Sequence, residues 1–245
     1  MCGIAGCFSG SSKIRRNLEK MISVLDHRGP DGNGIWVASN EQVGLGHTRL
    51  AIIDFSSAGK QPMKSFSGDF IITFNGEIYN HLKLREKLNN DISFIIDWRG
   101  HSDTETLINC IDIWGLNKTL NEINGMFAFA LWDARKNQLI LCRDRIGEKT
   151  LYYGWLGDCF VFGSELKAIK IHENFNSKID KSSLNEYLKY GYVPSPHSIY
   201  SGVSKLMPGS YLIIDAYNKY RKPTKYWNLF DVAKNARQNQ FKGDD

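Results

Sequence analysis

The stretch that decides the reading is MCGIAGCFSG, residues 1–10. A cysteine directly follows the methionine, and small residues surround it. Cytosolic removal of an initiator methionine is favoured when the next side chain is small, so Cys2 is expected to become the amino-terminal residue. It then carries both a thiol and a free α-amine, and an amine with a pKa of about 7.7 to 8.0 exchanges protons at neutral pH. One residue supplies nucleophile and base together. The IAGC at residues 4–7 resembles a lipoprotein cleavage site, but no apolar leader precedes it, so lipidation of Cys7 is not expected.

The 245 residues are 42% hydrophobic and 23% charged, as in a soluble globular protein. The net charge of +5 is dispersed rather than gathered into a basic block with aromatics, which speaks against a nucleic-acid partner. No apolar run reaches the roughly 18 to 20 residues of a membrane span, so no membrane partner is expected and the cytoplasm is the expected compartment. Cys2, Cys7, Cys110, Cys142 and Cys159 have unrelated spacings, with no C-x-x-C and no H-x-x-x-H. Neither a disulfide framework nor a metal site is expected.

Ile14, Leu18, Met21, Ile22 and Leu25 recur at helical spacing, and the following HRGPDGNG reads as a loop. DFIITFNGEIYN joins a strand to a helix starting near Tyr79. HSDTETLINCIDIW carries a capping box, with Ser102 as N-cap and Glu105 three residues on, so Asp103 falls in the first helical turn. MFAFALWD, QLILCRD, TLYYGW and CFVFGS read as strands, and ELKAIKI and DKSSLNEYLKYG as helices. From Lys225 onward the chain reads as polar and without apolar periodicity, as a linker would.

In order, CGIAG, GHTRLAIID, KQPM, FNGEIYN, SDTE and RDRIGEKTLYYG resemble the glutaminase domain of asparagine synthetase, a class II glutamine amidotransferase of the N-terminal-nucleophile (Ntn) hydrolase group. FGSELKAI, YVPSPHSIYSGVSKLMPGSYL and KYW extend the resemblance over nearly the whole chain. It implies an α+β fold, the Ntn-hydrolase four-layer αββα sandwich of two mainly antiparallel sheets, with Cys2 at the start of a central strand. It also implies a glutaminase domain over 1–227, with 228–245 a linker or the start of an absent ATP-pyrophosphatase synthetase domain.

The implied reaction is attack of the Cys2 thiolate on the side-chain amide of L-glutamine, release of ammonia, and hydrolysis of the γ-glutamyl thioester. An oxyanion needs fixed donors, which the Asn75 amide and the Gly76 backbone N–H would supply. Alone, Asn75-Gly76 is a common hairpin-turn dipeptide. Free glutamine is distinguished by its α-carboxylate and α-ammonium, for which Arg49 and Asp103 match the family positions. Leu50, Ile52 and Glu77 match further pocket positions, Glu77 as a contact to the substrate amine. His27, His47 and His101 are read as structural, and HRGPDG is given no catalytic part.

Thr150 stands where the family pattern has proline. Neither an S-G-G-x-D-S nor a G-x-x-x-x-G-K loop occurs. No cofactor is therefore expected in this chain; ATP and magnesium would belong to a synthetase domain or subunit, the expected partner, docked on an exposed apolar patch. Two other readings stand beside the glutaminase: a non-catalytic partner-binding remnant or subunit of a split or truncated synthetase, and an ammonia donor for amidation of a sugar acid.

Overall fold

The computed structural model describes residues 1–8, 13–216 and 221–238. Its strands are β1 (Gly3–Phe8), β2 (Asn33–Val37), β3 (Val43–Thr48), β4 (Met63–Lys64), β5 (Phe70–Ile78), β6 (Gly125–Asp133), β7 (Gln138–Arg143), β8 (Tyr152–Leu156), β9 (Cys159–Gly163), β10 (Val203–Lys205), β11 (Ser210–Ile214) and β12 (Thr224–Lys225). Its helices are α1 (Ile14–Ser23), α2 (His81–Asp91), α3 (Asp103–Trp114), α4 (Leu116–Glu122), α5 (Leu166–Lys170), α6 (Lys181–Tyr190) and α7 (Leu229–Gln238). The strands form two antiparallel sheets, ordered β10-β8-β9-β1-β3-β2 and β12-β11-β7-β6-β5-β4.

The period of two along each buried strand assigns its side chains to different layers. On β6, Phe127, Phe129 and Leu131 pack with Leu84 and Leu88 of α2 and Leu107, Ile108 and Ile111 of α3. Ala128, Ala130 and Trp132 point the other way, into a core shared with Ile4, Phe8, Val43 and Leu45 of the facing sheet. Ala5 and Cys7 of β1 lie against Leu18, Met21 and Ile22 of α1. Three apolar layers between helix, sheet, sheet and helix give the αββα sandwich expected from the sequence.

Gly46 lets α1 sit close on β3, since a Cβ there would stand 2.5 Å from Ile22 Cγ1. Gly46→Ala is expected to destabilise the fold by about 1 to 3 kcal/mol through overpacking, read as a lower midpoint in urea unfolding.

The Ser102 hydroxyl accepts from the Glu105 N–H at 3.2 Å, as its place in the motif requires. The second half of the box differs. The Glu105 carboxylate accepts from Arg99 N–H and Gly100 N–H, tying down the preceding loop. The tail also departs from expectation. Leu229, Val232, Ala233 and Ala236 fall on one stripe of α7, a periodicity hidden by the polar residues between them, although no side chain of that helix is buried. Residues 239–245 of the expected linker lie outside the described residues.

Candidate active site

The mouth of the gap between the sheets holds a cleft of about 220 Å³. Cys2, Arg49, Leu50, Ile52, Asn75, Gly76, Glu77 and Asp103 all line it, although they come from four separate stretches of chain. Cys2 immediately precedes β1, whose place in the sheet is central. Its carbonyl accepts from Arg28 Nε at 2.9 Å, and the next residue's N–H donates to Thr48 Oγ1 at 3.1 Å. The Leu50 N–H points at the Cys2 sulfur, 3.4 Å away. Burial pushes the thiol up from its ordinary value, while the Leu50 N–H, the amino-terminal charge and Arg28 pull against that rise.

Asn75 is not in a turn. It lies within β5, opposite Ala128 of β6, on the strand face that carries Ile71 into the core between the sheets. Its side chain is buried, and its Nδ2 has no hydrogen-bond partner among the described residues. A buried amide donor without a partner is costly, and a group that arrives later to accept from it relieves that cost. Gly76 is demanded by strand packing, since a Cβ would stand 2.3 Å from the Met126 carbonyl oxygen.

Arg49 follows β3, and its guanidinium donates to the backbone carbonyls of Ser56, at 2.9 Å, and Asp54. Both contacts orient the group without neutralising it, which suits a carboxylate ligand. At the start of α3, the Asp103 carboxylate accepts from the N–H groups of Ile78 and Thr104, each at 2.8 Å. Burial raises its pKa to about 6 against those bonds, and the charge of Glu77 adds to the rise. Ionised Asp103 can pair an ammonium group, whereas protonated Asp103 cannot. For an α-amino acid whose ammonium pairs with Asp103, the dissociation constant of the Cys2→Ala variant is therefore expected to rise about tenfold per pH unit below about 6, with a flatter profile for Asp103→Asn. Calorimetric titration between pH 5 and 8 reads both.

Four lining or flanking groups were not assigned from sequence. Arg28, inside HRGPDG, holds the Cys2 backbone and pairs with Glu165 at 2.8 Å. Buried Lys149 places its Nζ 3.5 Å from Met1 Sδ at the cleft wall. His47, read as structural, lines the cleft with its Nε2 3.2 Å from the Phe74 carbonyl. Burial lowers its pKa to about 3, so the ring is neutral. Gln61, from KQPM, lines the cleft as well. At the departure from the family pattern, Thr150 Oγ1 donates to the Ser164 carbonyl at 2.9 Å, anchoring the loop that proline would have stiffened.

Elsewhere, Cys7, Cys159 and His172 bring their ligand atoms within 4.8 Å of one another. Residues this far apart in sequence show no metal-ligand spacing. Their hydrogen bonding does not suit a metal: Asn174 N–H donates to His172 Nδ1, which leaves the proton of the neutral ring on Nε2, the atom 3.6 Å from Cys159 Sγ. A metal-bound histidine needs the reverse arrangement.

A sequence profile described as "Glutamine amidotransferase domain" matches residues 1–227. The chain belongs to that family. The amidotransferase domain is 38% identical to a putative glutamine-hydrolyzing asparagine synthetase of Methanocaldococcus jannaschii over 94% of this chain and 47% of that protein. It is 35% identical to asparagine synthetase 3 of Bacillus subtilis over 94% of this chain and 37% of the relative. The chain thus spans less than half the length of these two relatives, matching their glutamine amidotransferase portion. The fold is shared with the glutamine phosphoribosylpyrophosphate amidotransferase of B. subtilis, at a TM-score of 0.67, 20% identity, and coverage of 92% of this chain and 49% of that one.

Proposed function

We propose that the domain hydrolyses L-glutamine to glutamate and ammonia, with Cys2 as an amino-terminal nucleophile, and serves as the ammonia-donor half of an asparagine-synthetase-like amidotransferase. The observation that carries the reading is the gathering of a thiol, a buried amide donor without a partner among the described residues, a guanidinium held by backbone carbonyls and a buried carboxylate around one cleft. Removal of Met1 frees the α-amine of Cys2 and takes the methionine side chain off the cleft wall. The amine accepts the thiol proton as sulfur attacks the amide carbon, and returns it to the leaving nitrogen as the C–N bond breaks. Asn75 Nδ2 and the Gly76 N–H receive the charge that develops on the amide oxygen. Water, deprotonated by the same amine, then cleaves the thioester and restores the thiol.

Arg49 takes the glutamine α-carboxylate, and Asp103 and Glu77 take its ammonium. Leu50 and Ile52 line the path between. In this reading the chain itself uses no cofactor, and ATP and magnesium act in a synthetase domain or subunit. In the same reading residues 1–227 are the glutaminase domain, and 228–245 are a linker or the start of a synthetase domain. Exposed Leu184, Tyr187 and Leu188 lie on one face of α6, and Leu229, Phe230 and Val232 of α7 are also exposed, as a docking surface requires. Among the described residues no helix is long and apolar enough to cross a membrane; we place the activity in the cytoplasm.

A coupled assay on the chain lacking Met1 tests the reading. Equimolar glutamate and ammonia are expected from glutamine. Absence of both, with Met1 removed and with a synthetase partner present, contradicts it.

A further inference from the structure

β4 pairs with β5 through Met63 opposite Ile72 and Lys64 opposite Ile71, and Ser65 N–H donates to the Phe70 carbonyl at 3.0 Å. Continued by two residues, that register sets Gln61 opposite Phe74, at the next pair expected to exchange backbone bonds. The ladder stops short of it. β4 begins only at Met63. The Phe74 N–H and carbonyl would be orphaned on that edge, immediately before Asn75.

Two side chains fill the gap. Gln61 Oε1 accepts from the Phe74 N–H at 2.6 Å, and His47 Nε2 lies 3.2 Å from the Phe74 carbonyl. A carbonyl only accepts, so the His47 proton sits on Nε2. The other end of Gln61 donates from Nε2 to Thr104 Oγ1 at 3.3 Å, and the Thr104 N–H in turn donates to Asp103. Gln61 thereby spans the cleft from the strand that carries Asn75 to the helix that carries Asp103.

We propose that Gln61 is a positioning residue: its side chain replaces the missing strand on the Phe74 peptide, opposite His47, and so fixes the Asn75 amide where the oxyanion forms. The proposal rests on the glutaminase reading above. Gln61 touches no reacting atom. Its effect passes through Asn75 and is confined to the steps in which charge develops on oxygen.

A double-mutant cycle tests this. Gln61→Met keeps the length of the side chain and removes both hydrogen bonds. It is expected to lower kcat for glutamine about 10- to 100-fold, the scale of a small misplacement of a catalytic group, with KM unchanged. In an Asn75→Ala background the same change is expected to cause no further loss. Alkylation of Cys2 by iodoacetamide, a displacement that forms no oxyanion, is expected to proceed at the unmodified rate in both backgrounds. An equal loss in both backgrounds, a change in KM alone, or slowed alkylation overturns the proposal. Turnover within twofold of the unmodified chain also overturns it while leaving the glutaminase reading intact; an unmodified chain that hydrolyses no glutamine overturns both.

Discussion

Cys2→Ala is expected to abolish glutamine turnover and to leave glutamine binding in place. In the proposed mechanism the Cys2 thiol forms the covalent intermediate, and the other cysteines are poorly placed to replace it. Cys7, Cys110, Cys142 and Cys159 are buried. Burial pushes the Cys110 thiol up to about 12 and raises that of Cys142 well above its ordinary value, and such buried thiols are inert. The substitution removes one sulfur and leaves the Arg49 fork, Asp103 and Glu77 unaltered. Glutamine dissociation constants measured by calorimetry should agree between the variant and the unmodified chain, while ammonia release falls to background. Undiminished hydrolysis by the variant refutes the nucleophile assignment.

Asn75→Ala is expected to lower kcat about 10²- to 10³-fold, corresponding to about 2.7 to 4 kcal/mol of lost oxyanion stabilisation. The loss falls on kcat because the Nδ2 contact strengthens only as charge develops, so KM stays near its original value. Removing the amide also relieves a buried donor that has no partner among the described residues, and a buried unsatisfied donor destabilises a fold by about 1 to 3 kcal/mol. The variant is therefore expected to resist urea at least as well as the unmodified chain apart from the cost of its smaller side chain. Steady-state kinetics beside an unfolding curve read both effects. A rate unchanged by the substitution reduces Asn75 to a strand residue.

Much of this architecture is written in local sequence. The helix from Asp103 is announced by Ser102 at its cap, and the strand pairs after Met126 by alternating apolar runs. Cys2 is legible because its chemistry follows from its position beside Met1. Asn75 shows the limit of local reading: the dipeptide Asn75-Gly76 taken alone signals a turn, yet tertiary packing extends β5 through it to Ile78. The supports of the site are less visible still. Gln61 reaches Phe74, and Arg28 reaches the Cys2 carbonyl, only because strand register brings them together. Nothing in either residue's neighbourhood in sequence encodes those distances. The α7 stripe was missed for the opposite reason, since its apolar residues are regularly spaced but find no core to enter.

The assignment of Cys2 as an amino-terminal nucleophile in a glutamine site is tested by intact mass. The purified chain is weighed before and after exposure to an electrophilic glutamine analogue, with Cys2→Ala as control. Loss of the Met1 mass, one adduct that requires Cys2, and its suppression by excess glutamine are expected. A chain freed of Met1 that gains no adduct, or gains one equally in the Cys2→Ala variant, contradicts the assignment.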